Sequence, residues 1–119
     1  MLTLICGIPN AGKTTYSKQF DNVIHLDDLN HGKLVLERIK DETGDVCVEG
    51  VYLISRQRRD LIKAYKGQGT KCIWLNTPVD ECIARENRGR KEVLIRNSAM
   101  ILEPPTYAEG WDEIEVIHG

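Results

Sequence analysis

The stretch Gly7-Ile8-Pro9-Asn10-Ala11-Gly12-Lys13-Thr14 fits the pattern G-x-x-x-x-G-K-[ST] and follows an apolar run, Leu2–Cys6, that reads as a strand. Glycines in such a loop let the backbone wrap around phosphate oxygens, while the loop N–H groups and the start of the following helix supply partial positive charge. In that setting the Lys13 ammonium reaches the outer phosphates and the Thr14 hydroxyl ligates Mg²⁺. The spacing predicts a nucleoside triphosphate site in which Gly7, Asn10, Ala11, Gly12, Lys13, Thr14 and Thr15 face the phosphates, with ATP and Mg²⁺ as cofactors. A guanine-reading Asn/Thr-Lys-x-Asp segment is missing where it would be sought, since Asn76-Thr77-Pro78 has neither Lys nor Asp.

Two acidic segments could complete that chemistry. His25-Leu26-Asp27-Asp28 reads as the end of a second strand, which aims carboxylates at the rim of the phosphate loop. A general base for an acceptor hydroxyl would be useful there, and Asp27 is the candidate. Asp28 is either the cap of the next helix or a secondary contact. Val46-Cys47-Val48-Glu49 is an apolar run ending in an acid; Glu49 either orders the magnesium shell or pairs with a surface lysine.

Two basic segments follow. Arg56-Gln57-Arg58-Arg59 opens a helix and either holds substrate phosphates or forms a solvated face. Arg85, Arg88, Arg90 and Lys91 gather around Gly89 between two helices, which either suits a lid over residues 85–96 that brings Arg85, Arg88 or both onto the transferring phosphoryl group, with Arg88 the stronger candidate, or forms a solvated charge run. His25, His31 and His118 show no metal-ligand spacing, and Trp74 and Trp111 read as packing residues.

The elements that must hold these residues follow from hydrophobic periodicity. Short runs rich in Val, Ile, Leu and Cys predict strands over residues 2–6, 23–26, 46–51, 71–75 and 114–117. Helical spacing predicts helices over 13–20, within 29–41, over 56–65, from 79 into 85–90, and over 92–101, each ending at Gly, Pro or a turn cluster. Strand and helix alternate, so the expected fold is a three-layer α/β domain with a mostly parallel five-stranded sheet of the P-loop type and a small lid. In such a sheet ligands sit beyond the strand C-termini, where the residues above fall.

Composition narrows the field further. With 119 residues, 41% hydrophobic and 29% charged, the chain has room for one sheet with its covering helices and no second lobe. A net charge of -2 gives no global attraction to a polyanion, so a nucleic-acid partner would need a local basic patch. Cys6, Cys47, Cys72 and Cys82 are widely spaced, and three lie in apolar runs, so they read as reduced core residues and not as a zinc or disulfide framework. No signal-peptide pattern or spanning stretch is visible, which makes the cytoplasm the expected location and a membrane partner unexpected.

Taken together, the segments resemble the small P-loop kinases, and most closely the 5′-hydroxyl polynucleotide kinase domain and its zeta-toxin-like relatives. Three stretches carry the resemblance: the loop through Thr15, the His25-Leu26-Asp27-Asp28 segment, and Glu103-Pro104-Pro105-Thr106-Tyr107-Ala108-Glu109-Gly110-Trp111, which is similar to that family's Pro-Thr-…-Glu-Gly-Phe closing segment. The resemblance implies Asp27 as the base, Lys13 and Arg88 on the donor phosphates, and a 5′-hydroxyl nucleic acid or nucleotide-like molecule as acceptor. Asn30 stands where the family often carries an arginine, and Glu49-Gly50-Val51 replaces an Asp-Thr-Asn type ending. An acceptor site would then be built from Lys33, Arg56 and Arg59. A kinase of a nucleoside or other small molecule, and a nucleotide-dependent switch or ATPase, are the alternatives.

Overall fold

The computed structural model describes residues 1–29, 31–86 and 92–118; Asn30, Arg88 and the centre of the expected lid lie outside the described residues. The chain runs β1 (Leu2–Cys6), α1 (Lys13–Ser17), β2 (Val23–His25), α2 (Leu26–Leu29), α3 (Gly32–Ile39), β3 (Val46–Glu49), α4 (Ser55–Ala64), β4 (Thr70–Asn76), α5 (Val79–Ala84), α6 (Glu92–Ile101), a 3₁₀ turn (Tyr107–Glu109) and β5 (Glu113–His118). The sheet order is β2-β3-β1-β4-β5, and every pairing is parallel, not merely most of them.

Side-chain alternation along the strands builds a core on each side of the sheet. Leu2, Leu4, Cys6, Val46, Val48 and Cys72 face one way, toward Val35 and Ile39 of α3 and Leu61 of α4. Ile5, Cys47, Ile73 and Leu75 face the other way, toward Cys82 of α5 and Ile95 of α6. Strands covered on both faces lose their polar alternation, which is why β1 and β3 are buried throughout. All four cysteines are free and buried, and burial pushes the Cys47 thiol up to about 12, with Glu49 adding to the effect. No helix among the described residues is long and apolar enough to cross a membrane.

Several boundaries differ from those read in the sequence. The second strand stops at His25, because its partner β3 ends at the paired residue Glu49 and leaves nothing for residue 26 to bond. Asp27 and Asp28 therefore stand on the single turn of α2 and not at a strand end. Asp28 is not the cap of the helix that follows; that role falls to His31, whose Nδ1 accepts the Lys33 N–H at 3.1 Å. Helix α1 ends at Ser17, whose hydroxyl donates to the Thr14 carbonyl at 2.7 Å and diverts it from helical bonding. Glu92–Ile101 forms α6 with the bounds expected for it, so residues 92–96 of the expected lid lie on that helix.

Candidate functional site

Gly7 leaves β1 where the loop crosses β4. A Cβ there would lie 2.8 Å from the Leu75 carbonyl oxygen, and backbone cannot swing away as a flexible side chain could. Replacing Gly7 with Ala should therefore lower stability by about 1–3 kcal/mol and weaken nucleotide binding together, read from denaturant midpoints and from nucleotide titration. Further along, Asn10 (φ 69°) and Gly12 (φ 101°) take left-handed conformations, which turn successive loop N–H groups toward one concave side. The Lys13 ammonium donates to the Ile8 carbonyl at 2.7 Å and lies within the loop with 9% of the residue exposed. From outside, the Thr77 hydroxyl donates to the Ala11 carbonyl at 2.8 Å and braces the loop against the β4–α5 connection.

The loop floors a cleft of about 570 Å³, lined also by Asp27, Glu49, Thr77 and Arg85. Such a volume suits a nucleotide-sized ligand. Parallel pairing of β1 with β3 sets Glu49 opposite Ile5, beside the loop, and the Thr14 hydroxyl donates to Glu49 Oε1 at 2.6 Å. A hydroxyl whose proton is directed at a carboxylate keeps its lone pairs for another partner, so Thr14 and Glu49 form a hard-oxygen set suited to Mg²⁺. Among the described residues no three His, Cys, Asp or Glu side chains cluster as a cage. A cation held through one hydroxyl, water and ligand phosphates fits that arrangement better than a protein-enclosed one. His25 Nδ1 lies 3.8 Å from the same Glu49 oxygen, a contact that strand alternation does not reveal.

Asp27 reaches the cleft because α2 packs closely on the end of β3. A Cβ on Gly50 would fall 2.7 Å from the Leu26 Cβ and 2.9 Å from the Tyr52 ring, so the missing side chain lets the helix settle there. Asp28, exposed on the same turn, is not among the residues lining the cleft.

Helix α5 closes the other side. Arg85 donates to the Asn10 carbonyl at 3.2 Å and to Glu81 Oε1 at 2.6 Å, while the Asn10 amide donates to the Cys82 carbonyl at 3.2 Å and to Glu86 at 3.3 Å. Arg85 thus packs against the loop as part of a network that ties α5 to it. Thr77 and Tyr16 also line the cleft; Thr77 follows β4 directly, where a ligand contact is expected beyond a parallel strand, whereas Tyr16 lies within α1 and carries no such sequence signal.

The basic cluster on α4 divides. Arg56 and Arg59 are exposed beside a separate groove, but Arg58 is fully buried. Its guanidinium donates to both Glu109 oxygens at 2.9 and 2.8 Å, to the Tyr52 carbonyl at 2.8 Å and to the Glu103 carbonyl at 2.7 Å. Arg58 cannot bind a substrate phosphate from that position. The signal was present in the spacing, since Arg58, Leu61 and Tyr65 fall at i, i+3 and i+7 on the face that meets the core.

The sequence matches no protein-family model and no curated protein. Among solved structures the chain is similar to Kti12 of Chaetomium thermophilum in complex with ADP-AlF3, at 14% identity over 99% of this chain and 89% of that one, with a TM-score of 0.78. It is similar to a sugar kinase from Janibacter sp., at 13% identity over 98% of this chain and 84% of the other, with a TM-score of 0.74. A gluconokinase from Sinorhizobium meliloti matches at 14% identity over 98% of this chain and 81% of its own, with a TM-score of 0.73. The all-parallel sheet, the loop between its central strand and α1, and these likenesses together establish the fold as the three-layer P-loop NTPase type.

Proposed function

We propose that the chain is an ATP- and Mg²⁺-dependent kinase that transfers the terminal phosphoryl group of ATP to a hydroxyl. The observation that carries this reading is the shared cleft: Asp27 faces the same space as Lys13 and the Thr14–Glu49 pair. Transfer needs charge neutralised on the donor and a proton acceptor at the nucleophile, and these side chains provide both. Lys13 and the loop N–H groups hold the donor phosphates. Thr14 and Glu49 would hold Mg²⁺, which when bound draws negative charge from the phosphate oxygens. Asp27 takes the proton of the acceptor hydroxyl as its oxygen bonds to phosphorus and the bond to ADP breaks. Arg85, already beside the loop, and Arg88, beyond it in sequence, are the cations for the charge that develops during transfer.

For the acceptor we propose the 5′-hydroxyl of a polynucleotide, on the likeness of the Glu103 to Trp111 segment to that family's closing segment. A small polyhydroxy acceptor is the second reading. It is favoured by the burial of Arg58, which withdraws one cation from the expected phosphate grip, and by the names of two structural neighbours, a gluconokinase and a sugar kinase.

The test is to incubate the protein with γ-labelled ATP, Mg²⁺ and parallel acceptors: 5′-hydroxyl DNA, 5′-hydroxyl RNA, nucleosides and sugars. Label is expected on an oligonucleotide 5′ end, and Lys13→Ala should abolish it. Label on a sugar or nucleoside alone would keep the kinase and replace the acceptor. Label found only in free phosphate would instead identify a nucleotide-hydrolysing switch.

A further inference from the structure

Exposed cations line both walls of the groove between α3 and α4. On the α4 side stand Lys63, in the last turn of the helix, and Lys66, just beyond the extended cap residue Tyr65. Lys33 and Lys40 stand seven apart at the two ends of α3. Lys33, Lys40, Lys63 and Lys66 line a single groove of about 450 Å³, in which Glu37 and Asp60 are the acids.

These four lysines differ from most other surface cations in having no acidic partner among the described residues. Lys71 lies 3.2 Å from Glu115, Arg85 lies 2.6 Å from Glu81 and Arg96 lies 3.1 Å from Glu92. None of the four along the α3–α4 groove makes an ion pair among the described residues. With a chain charge of -2, this lysine cluster is a local feature and not the by-product of a basic protein.

The groove also leads toward Asp27. A smaller pocket of about 290 Å³, lined by Leu26, His31 and Gln57, shares Lys33, Leu36 and Asp60 with it, and Leu26 immediately precedes Asp27. Lys33 and Lys40 are separated by about 10 Å along α3, so the charges are spread out and do not converge on one point. Converging cations suit a small anion, whereas a row of them suits a polymer with regularly repeated charge.

We propose that the α3–α4 groove is a track for the phosphodiester backbone of a single-stranded nucleic acid whose 5′ end lies at Asp27. The proposal rests on the kinase reading for the role of that end, while the track itself can be tested without phosphoryl transfer. Lysine suits this role because its flexible ammonium follows a backbone without demanding one phosphate geometry.

Binding of 3′-labelled, 5′-hydroxyl DNA and RNA, of about 3 and about 20 nucleotides, would be followed by fluorescence anisotropy across a salt series. The wild type would be compared with a Lys40→Gln, Lys63→Gln, Lys66→Gln triple variant, with ATP titration of the variant reporting that it is folded. Each lost phosphate contact costs about fivefold in affinity at 0.1 M salt, so the long strand should bind about 100-fold more weakly, with a log–log salt slope shallower by about 2. The trinucleotide should change far less. Equal affinity and slope in wild type and variant would overturn the track, even if the protein phosphorylates oligonucleotides. Displacement of the long strand by polyglutamate at matched charge would overturn it in favour of an acidic polypeptide. Lysine-dependent, salt-sensitive binding by a protein that labels no acceptor would uphold the track and sink the kinase reading. A difference in strength between DNA and RNA identifies which strand the track serves.

Discussion

Asp27→Asn is expected to lower kcat by about 10²- to 10⁴-fold while leaving the affinity for ATP within about twofold. The amide keeps the size of the side chain and its place on α2 but cannot accept the acceptor's proton. Phosphate binding rests on other groups, chiefly Lys13, the loop N–H groups and the Thr14–Glu49 pair, which is why donor affinity should survive. In barrier terms the loss is about 3–5 kcal/mol. Steady-state kinetics with a saturating acceptor, beside nucleotide titration, separate the two quantities. A kcat within tenfold of wild type would remove Asp27 from the role of base, and a parallel loss of ATP affinity would recast it as a binding residue.

The second large effect concerns stability. Arg58 and Glu109 form an ion pair with side chains 0% and 1% exposed, and the Trp111 indole N–H adds a hydrogen bond to Glu109 at 2.9 Å. Removing one partner of such a pair strands the other charge away from water, so Glu109→Ala should cost about 3–5 kcal/mol. A domain of this size has about 5–15 kcal/mol in total, so the variant should be largely or partly unfolded near physiological temperature. Calorimetry or denaturant melts measure the loss directly. The paired replacement Arg58→Met with Glu109→Leu should restore much of it, because neither buried charge remains. If the single variant melts like wild type, the pair is not what holds the closing segment.

The same pair carries a pH signature. Burial by itself would raise the Glu109 carboxyl, but hydrogen bonds from Arg58 and Trp111 and the Arg58 charge outweigh it and hold the group below its ordinary 4.5. A depressed carboxylate contributes its stabilisation in full above that ordinary value and loses it as pH falls through the lower folded value. Acid melts of the wild type should therefore show a limb below about pH 4.5 that the charge-free double variant has in smaller measure. The consequence reaches the site, because Arg58 also holds the carbonyl of Tyr52, a left-handed residue (φ 35°) three positions beyond Glu49. Strain of that kind persists only where its surroundings enforce it.

Much of this architecture was legible in the residues themselves, because its determinants are local. The buried strands β1 and β3 are short apolar runs, and the G-x-x-x-x-G-K-T loop is eight consecutive residues whose pattern is set by two glycines, a lysine and a threonine. The alternation of strand and helix was enough to predict a parallel three-layer sheet. What could not be read was decided by contacts between distant residues. The second strand ends at His25 because its neighbour ends at Glu49, and that places Asp27 on a helical turn instead of a strand. Thr14 meets Glu49 across 35 positions only because β1 and β3 are sheet neighbours. Arg58 and Glu109 are 51 positions apart, and only their joint burial turns one member of an apparent basic cluster into an internal clamp while Arg56 and Arg59 stay at the surface. Residue type and spacing determine which chemistry a segment can offer; which segments share a cleft depends on strand order and burial, and these are properties of the assembled chain.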